Sequence, residues 1–507
     1  MKRFLIPIVA GAAAISAANA QPPASAESHT REALQRIEAL NPRLNAVIAV
    51  DPTALDQARA LDRNRRARGP LFGMPILIKD NIETIGPLPT TAGSLALAAN
   101  VTGRDAPLVA RLRAAGAVIV GKANLSEWAN IRSSDSISGW SAIGGQVRNP
   151  YALNRNPCGS SSGSAVAVAS GMVPAAIGTE TDGSITCPAA INGIVGFKPS
   201  VGLVSRTHVV PISHSQDTPG PMTLTVRDAA LVMNAIAGTD PADPATAEAD
   251  QRRVDYTAAL RPDALRGVRL GLMRFAAGFG TDAPFEAALD TLRAQGAELV
   301  EIREFAGRQE IGRNEIIVLL AELKHDLNLY LATLPPMVRT RTLEQVIAFN
   351  RDHADVEMAL FTQDLFEQAQ ATAGLDAAWR TARETSLRLA GAEGIDRLLR
   401  EHNIVALVGP TRPAAWLIDA VHGDQSPGGG GGGLAAVAGY PHLTVPMGQV
   451  RGLPVGISFI GPKWSDALVL SLGYAYEQAS NARFAPRYLD SIEESEEVAP
   501  HLRPHRP

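Results

Sequence analysis

From Gly69 to Gly196, short apolar runs alternate with segments of helical pattern. Met74 to Ile78 and Ala117 to Val120 read as strands, and Pro107 to Ala115 and Ser164 to Ala169 as helices. A strand that is apolar along its whole length is buried on both faces, and a helix between two such strands returns the chain over the sheet. The alternation therefore predicts an α/β fold: a large mixed sheet, mainly parallel, with helices on both faces. The rhythm resumes with Val268 to Met273 and Ala297 to Ile302 as strands around a helix from Phe285 to Ala294, which extends the same sheet. Asn403 to Val408 and Leu443 to Pro446 read as further strands, and Ala467 to Ala479 as a closing helix. Between residues 310 and 402 the pattern is almost wholly helical, broken at Pro335-Pro336, and predicts a helical insert in the C-terminal half. That insert either covers the site or forms a plain outer layer. Reactive groups in such a fold belong at strand ends and in the loops that follow.

Ahead of this region the chain opens with Lys2 and Arg3, an apolar run and Ala18-Asn19-Ala20. That is the pattern of a secretory signal peptide with cleavage near Ala20, and the run is short for a membrane span. We expect an exported protein, periplasmic or extracellular, that is not inserted in a membrane once the signal is removed. Residues 21–507 are expected to form a single domain. Arg31 to Leu40 and Thr53 to Arg68 read as amphipathic helices, the second ending in a basic run that fits a solvated helix end. The formal net charge is −4 with no basic block, which speaks against a nucleic-acid partner. The glycine run Gly428 to Gly433 reads as a flexible surface loop.

Three stretches carry the chemistry. Gly178-Thr-Glu-Thr-Asp-Gly-Ser-Ile-Thr-Cys-Pro188 packs small and hydroxyl residues into what reads as a tight bend. Such a bend can align backbone N–H groups beside a serine hydroxyl, as a nest for negative charge or as an ordinary turn. Asn156-Pro-Cys-Gly-Ser-Ser-Ser-Gly-Ser-Ala-Val-Ala-Val-Ala-Ser170 feeds small polar residues into a buried helix. Gly69-Pro-Leu-Phe-Gly-Met-Pro-Ile-Leu-Ile-Lys-Asp-Asn81 ends an apolar strand on Lys79, and a lysine drawn into low dielectric can act as a base. The chain has ten histidines and none falls in these stretches. It has two cysteines, Cys158 and Cys187, both inside them. They either pair, if the two loops meet, or remain two small buried thiols, and the sequence decides neither. No zinc-type ligand spacing is present, and no cofactor or metal is expected.

Together these stretches resemble the amidase signature family, and most nearly its bacterial peptide amidase branch, which removes the C-terminal amide of peptides. The resemblance extends through Lys122-Ala-Asn-Leu-Ser-Glu-Trp-Ala-Asn130, Asp135-Ser-Ile-Ser-Gly-Trp-Ser141, Gly202-Leu-Val-Ser-Arg206, Ser215-Gln-Asp-Thr-Pro-Gly-Pro-Met222 and Ala438-Gly-Tyr-Pro-His-Leu-Thr-Val-Pro-Met-Gly448. It implies the amidase signature fold, with its core over about residues 69–240. It also implies a Ser-Ser-Lys triad of Ser184 as nucleophile, Ser160 as relay in a cis peptide and Lys79 as base. The backbone N–H groups of Thr181, Asp182, Gly183 and Ser184 would then form the oxyanion hole, and the product of a carboxamide or peptide amide substrate would be a carboxylate and ammonia. Asp182 and Thr186 stand where the wider family commonly has glycine and arginine. Both departures fit the peptide amidase branch, and the second argues against an arginine-held acidic substrate there. The Asp182 side chain is expected to point away, into a hydrogen-bond network.

Rival readings remain. Gly159-Ser-Ser-Ser-Gly163 satisfies Gly-x-Ser-x-Gly and would make Ser161 the nucleophile of an α/β-hydrolase elbow, although Asn154-Arg-Asn-Pro157 is a poor strand to precede one. A non-catalytic amide-binding protein would call for the loss of a triad member. An ammonia-transferring amidotransferase is at odds with the signal peptide. A fatty-amide hydrolase would need a long apolar channel or a membrane-docking helix.

Overall fold

The computed structural model describes residues 25–64 and 69–503. The expected signal peptide lies outside the described residues, as does the end of the basic run at 65–68.

Eleven strands form one sheet: β1 (Val47–Val50), β2 (Pro75–Lys79), β3 (Val118–Ala123), β4 (Ala175–Glu180), β5 (Val195–Lys198), β6 (Thr218–Thr223), β7 (Arg269–Met273), β8 (Glu298–Ile302), β9 (Ala406–Pro410), β10 (His442–Val450) and β11 (Leu453–Ile460). Their order is β1-β3-β2-β4-β6-β5-β10-β11-β9-β7-β8. Two parallel groups, β3-β2-β4 and β9-β7-β8, are joined through antiparallel ladders. The resumed rhythm at β7 and β8 does extend the same sheet, at the edge away from β1.

Strand β2 lies at the centre of the first parallel group, with Ile78 opposite both Lys122 and Ile177. Its side chains alternate between two cores, as the pleat requires. Ile76 and Ile78 join one cluster with Ile119 and Ile177, while Leu77 joins the other with Val118, Val120 and Ala176.

Of the helices, α1 (Ala26–Leu44) starts at a capping box between Ser25 and Ser28. Helix α2 (Ser162–Ala169) is buried at every residue, because its Ser, Gly, Ala and Val side chains are small enough to lie against the sheet. Helix α3 (Thr186–Ile191) follows the loop that carries Ser184, and α4 (Arg308–Ala332) opens the helical insert. Leu323, Leu327 and Leu331 of α4 share a core with Ala92, Trp128, Ile131 and Phe366. The Trp128 and Phe366 rings meet edge to face at 5.6 Å, so the insert is seated on the loop after β3 rather than lying apart from the site. No helix of the described residues is long and apolar enough to cross a membrane.

The glycine run departs from a simple flexible loop. Gly430 and Gly431 are buried, and Gly432 and Gly433 begin the helix Gly432–Ala438. A Cβ on Gly430 would lie 2.2 Å from the Thr411 carbonyl oxygen, and one on Gly431 would lie 2.7 Å from Met273. Small size here serves close packing beside the Ser184 loop.

Candidate active site

Strand β2 delivers Lys79 at its C-terminal end, and all five residues of the strand are buried. Lys79 has no exposed surface. Its Nζ lies 2.7 Å from Ser160 Oγ, 2.8 Å from Thr179 Oγ1 and 3.3 Å from the Thr179 carbonyl oxygen. Asn81 Nδ2 donates to Thr179 Oγ1 at 3.0 Å and holds that hydroxyl in place. Removal from water disfavours the ammonium and lowers Lys79 to about 7, against the opposing pull of Asp217 and Glu180.

The Gly159–Ser160 peptide bond is cis. Ser160 is fixed on both sides: its carbonyl accepts from Ser126 N–H at 3.0 Å, and the next residue, Ser161, donates its N–H to the Ser184 carbonyl at 3.1 Å. The stretches resembling the family around 122–130 and 135–141 thus brace the Ser160 segment, since Ser126 Oγ also accepts from Gly139 N–H.

Ser184 sits in the bend between β4 and α3. Gly183 takes φ +81°, a left-handed conformation that glycine adopts without strain, and the Gly183 carbonyl accepts from Cys187 N–H. Glu180, at the end of β4, closes the bend by accepting the N–H groups of Ile185 and Thr186, each at 2.8 Å. The backbone N–H groups of Thr181, Asp182, Gly183 and Ser184 donate to no acceptor among the described residues. Asp217 accepts from Thr181 Oγ1 at 2.6 Å and from the Ile212 and Ser213 N–H groups, and burial pushes it up to about 6.

A cavity of about 260 Å³ opens onto this bend, lined among others by Asn130, Ile131, Ser138, Ser184, Leu319 and Trp416. Both the loop around Ser138 and the helical insert, through Leu319, therefore form walls of the site. The Ser184 hydroxyl makes no hydrogen bond among the described residues, so the implied contact from Ser160 is present toward Lys79 and not formed toward Ser184.

Cys158 and Cys187 are joined in a disulfide with a Cα–Cα distance of 6.1 Å, tying the segment before Ser160 to α3. The Asp182 side chain does not enter a hydrogen-bond network as expected. It lines the cavity, and its Oδ1 is buried without a hydrogen-bond partner among the described residues.

The Ser161 reading loses its geometry: Ser161 Oγ donates to the Thr179 carbonyl at 3.1 Å and accepts Thr179 N–H at 3.2 Å, and the residue is fully buried away from the cavity. A histidine base fares no better. His442 is buried and lowered to about 4 by desolvation, and its Nε2 is paired with Ser458 Oγ at 2.7 Å. Sequence reasoning misses Thr179, Glu180, Asp217 and Arg412. Glu180 and Asp217 lie inside the motif stretches, and Arg412 follows the strand expected from Asn403, so their position at strand ends is the available signal.

Residues 28–470 match the family described as Amidase. A probable amidase of Arabidopsis thaliana is 41% identical over 471 residues, covering 90% of this chain and 87% of that protein. A chain of the glutamyl-tRNA(Gln) amidotransferase of Roseiflexus castenholzii is 36% identical over 484 residues, covering 88% of this chain and 91% of that one. Among solved structures, native peptide amidase from Stenotrophomonas maltophilia is similar with a TM-score of 0.87 at 51% identity, covering 92% of this chain and 96% of that one.

Proposed function

The chain belongs to the amidase signature family and is an amide-hydrolysing enzyme, and from that premise we propose that it releases ammonia from the C-terminal amide of peptides. The observation that carries the reading is the buried Lys79 amine in contact with Ser160 and set behind the Ser184 bend. A serine hydroxyl attacks an amide only if a base removes its proton as the bond forms. With Lys79 lowered to about 7, a large share of the molecules at neutral pH hold the free amine. Ser184 attacks the amide carbon, its proton passes to Ser160 and that of Ser160 to Lys79. The Ser184 rotamer turns toward Ser160 for this step. The N–H groups of residues 181–184 receive the charge that develops on the carbonyl oxygen. The proton then returns through Ser160 to the leaving nitrogen, ammonia departs, and water hydrolyses the acyl-enzyme by the same route.

The peptide amide is favoured over long-chain amides by the size of the cavity, about 260 Å³, which is at the small end for ligand sites. The similarity to the peptide amidase of S. maltophilia supports the same substrate class. Ammonia release from a panel of peptide amides, free asparagine and glutamine, and fatty amides tests the reading. Turnover confined to the last two groups would overturn it.

Export is part of this proposal. The Cys158–Cys187 disulfide is of a kind that persists in oxidising compartments and supports the N-terminal signal reading. A mature N-terminus at Gln21 in the periplasm or medium is the expected result on fractionation and sequencing, and an intact cytosolic chain would contradict it.

A further inference from the structure

Two side chains on the cavity wall, Arg412 and Asp182, carry hydrogen-bonding atoms without partners among the described residues. Arg412 leaves the C-terminal end of β9 immediately after Thr411, whose hydroxyl is fixed to Thr444 at 2.7 Å and Ser458 at 2.9 Å and whose N–H donates to the Gly456 carbonyl. The arginine therefore springs from an anchored base. Its guanidinium makes no hydrogen bond or ion pair among the described residues. It lies over Gly183, where a Cβ would come within 2.8 Å of Nη2. On the same cavity, the Asp182 carboxylate presents a buried Oδ1 with no hydrogen-bond partner among the described residues. The two do not form an ion pair; burial raises Asp182, and the Arg412 charge draws it part of the way back.

A guanidinium offers only donors and a carboxylate only acceptors. A ligand that satisfies both must present a carbonyl oxygen to one and an N–H to the other, within reach of Ser184. A peptide group does this, and a bare alkyl or aryl carboxamide has no such group beyond the reacting amide. Charge agrees. Glu315 of α4 reaches toward the same bend, accepting from Gln216 Nε2 at 2.8 Å, while Gln216 also donates to the Thr181 carbonyl at 3.3 Å. Burial, with the Asp182 carboxylate beside it, raises Glu315 to about 8, so it adds little negative charge at neutral pH beside the acceptor of Asp182 and the donors of Arg412. Such a pair suits a neutral peptide group better than a free ammonium or a carboxylate.

We propose that Asp182 and Arg412 form a subsite for the peptide group next to the reacting amide. The N–H of the C-terminal residue donates to Asp182, and the carbonyl of the acyl group before it accepts from Arg412. Ile131, Ile212, Leu319 and Trp416 line the space for an apolar side chain on that residue. The inference rests on Ser184 as the acylated serine. It is compatible with Thr186 speaking against an arginine-held acidic substrate, since Arg412 arrives from a different strand and meets a neutral carbonyl.

Three amides built on one 3-phenylpropanamide frame separate the possibilities: N-acetylphenylalaninamide, phenylalaninamide with its free ammonium, and 3-phenylpropanamide, which lacks the acylamino group. The expected kcat/KM for the first exceeds that for the third by about 100-fold or more, because a site built for hydrogen bonds rejects a ligand that leaves them unmade. Arg412→Met lowers that ratio about tenfold or more, and Arg412→Lys recovers part of it, since lysine supplies the charge without the planar fork. Calorimetry on Ser184→Ala protein reads the subsite without turnover. It should bind N-acetylphenylalaninamide more tightly than 3-phenylpropanamide, and Arg412→Met added to it should remove the difference. A ratio near one, a ratio unmoved by Arg412→Met, or preference for phenylalaninamide would overturn the subsite. Absence of turnover for all three would count against the proposed substrate class, with the binding experiment still deciding the subsite.

Discussion

Lys79 Nζ stands 2.7 Å from Ser160 Oγ at a position where the lysine has no contact with solvent. Its three polar contacts match the valence of the nitrogen in either protonation state. As ammonium it donates to Ser160 and twice to Thr179. As free amine it donates twice to Thr179 and accepts the Ser160 hydroxyl proton on its lone pair. One arrangement of heavy atoms thus serves both ends of the proposed proton transfer.

Replacing Lys79 with Met should lower kcat by about 10²- to 10⁴-fold, the range for loss of a general base. The stability signature is independent of activity. Lys79 titrates at about 7 when folded and near 10.4 in an unfolded chain. Between those values the unfolded state binds more protons, so this group makes the wild type gain stability with rising pH. Denaturant unfolding from pH 7 to 10 should shift the balance between wild type and Lys79→Met steadily toward wild type. A pH-independent difference would mean that the burial of the amine is not as described.

Two serines give opposite expectations. Ser184→Ala should abolish ammonia release with the fold intact. Ser161→Ala removes a buried hydroxyl bonded to Thr179, which costs about 1–2 kcal/mol of stability, and should leave kcat within about tenfold, since Ser161 Oγ is spent on the β4 backbone. Steady-state kinetics of both proteins checks this. A larger catalytic loss for Ser161→Ala would restore the elbow reading.

Glu180 holds the bend that presents the four N–H groups. In Glu180→Ala the Ile185 and Thr186 N–H groups lose their acceptor. Misplacement of the bend should lower kcat by about 10-fold or more, with a smaller change in KM. A purely thermal defect with normal kcat at low temperature would show that the bend keeps its shape without Glu180.

Reduction of Cys158–Cys187 should destabilise the protein. The cysteines are 29 residues apart, and closing a loop of that size is worth about 3–4 kcal/mol by the chain-entropy relation. Thermal unfolding with and without reductant, and of the Cys158→Ser, Cys187→Ser double variant, should show a lowered Tm in both cases. An unchanged Tm would contradict the structural role.

Much of this is legible in the chain. Pro75–Lys79, Arg269–Met273 and Asp466–Ser480 lie within a few residues of their sequence readings, because each carries a periodic apolar pattern of full length. Strand β6 escapes such a reading, since Pro219, Gly220 and Pro221 are turn residues by local preference. The sheet around β6 overrides that preference, with Ile177 opposite Pro221 and Gly178 opposite Gly220. Lys79 and Ser160 come into contact across 81 residues of sequence, and the motif rather than periodicity names them. Arg412 and the unpartnered carboxylate of Asp182 are hidden for a physical reason. Which charged group lacks a partner depends on packing between β9, the Ser184 bend and the helix that begins within the glycine run, and no local pattern encodes it.

Lys79 can serve as a base only as a neutral buried amine. The chain has few lysines, Lys2, Lys79, Lys122, Lys198, Lys324 and Lys463, so lysine-selective ¹⁵N labelling gives a tractable spectrum, with Lys79→Met assigning the Nζ signal. Lys79 Nζ is expected to titrate near 7, below Lys198 at about 8. A Lys79 signal that stays that of an ammonium through pH 9 would contradict it.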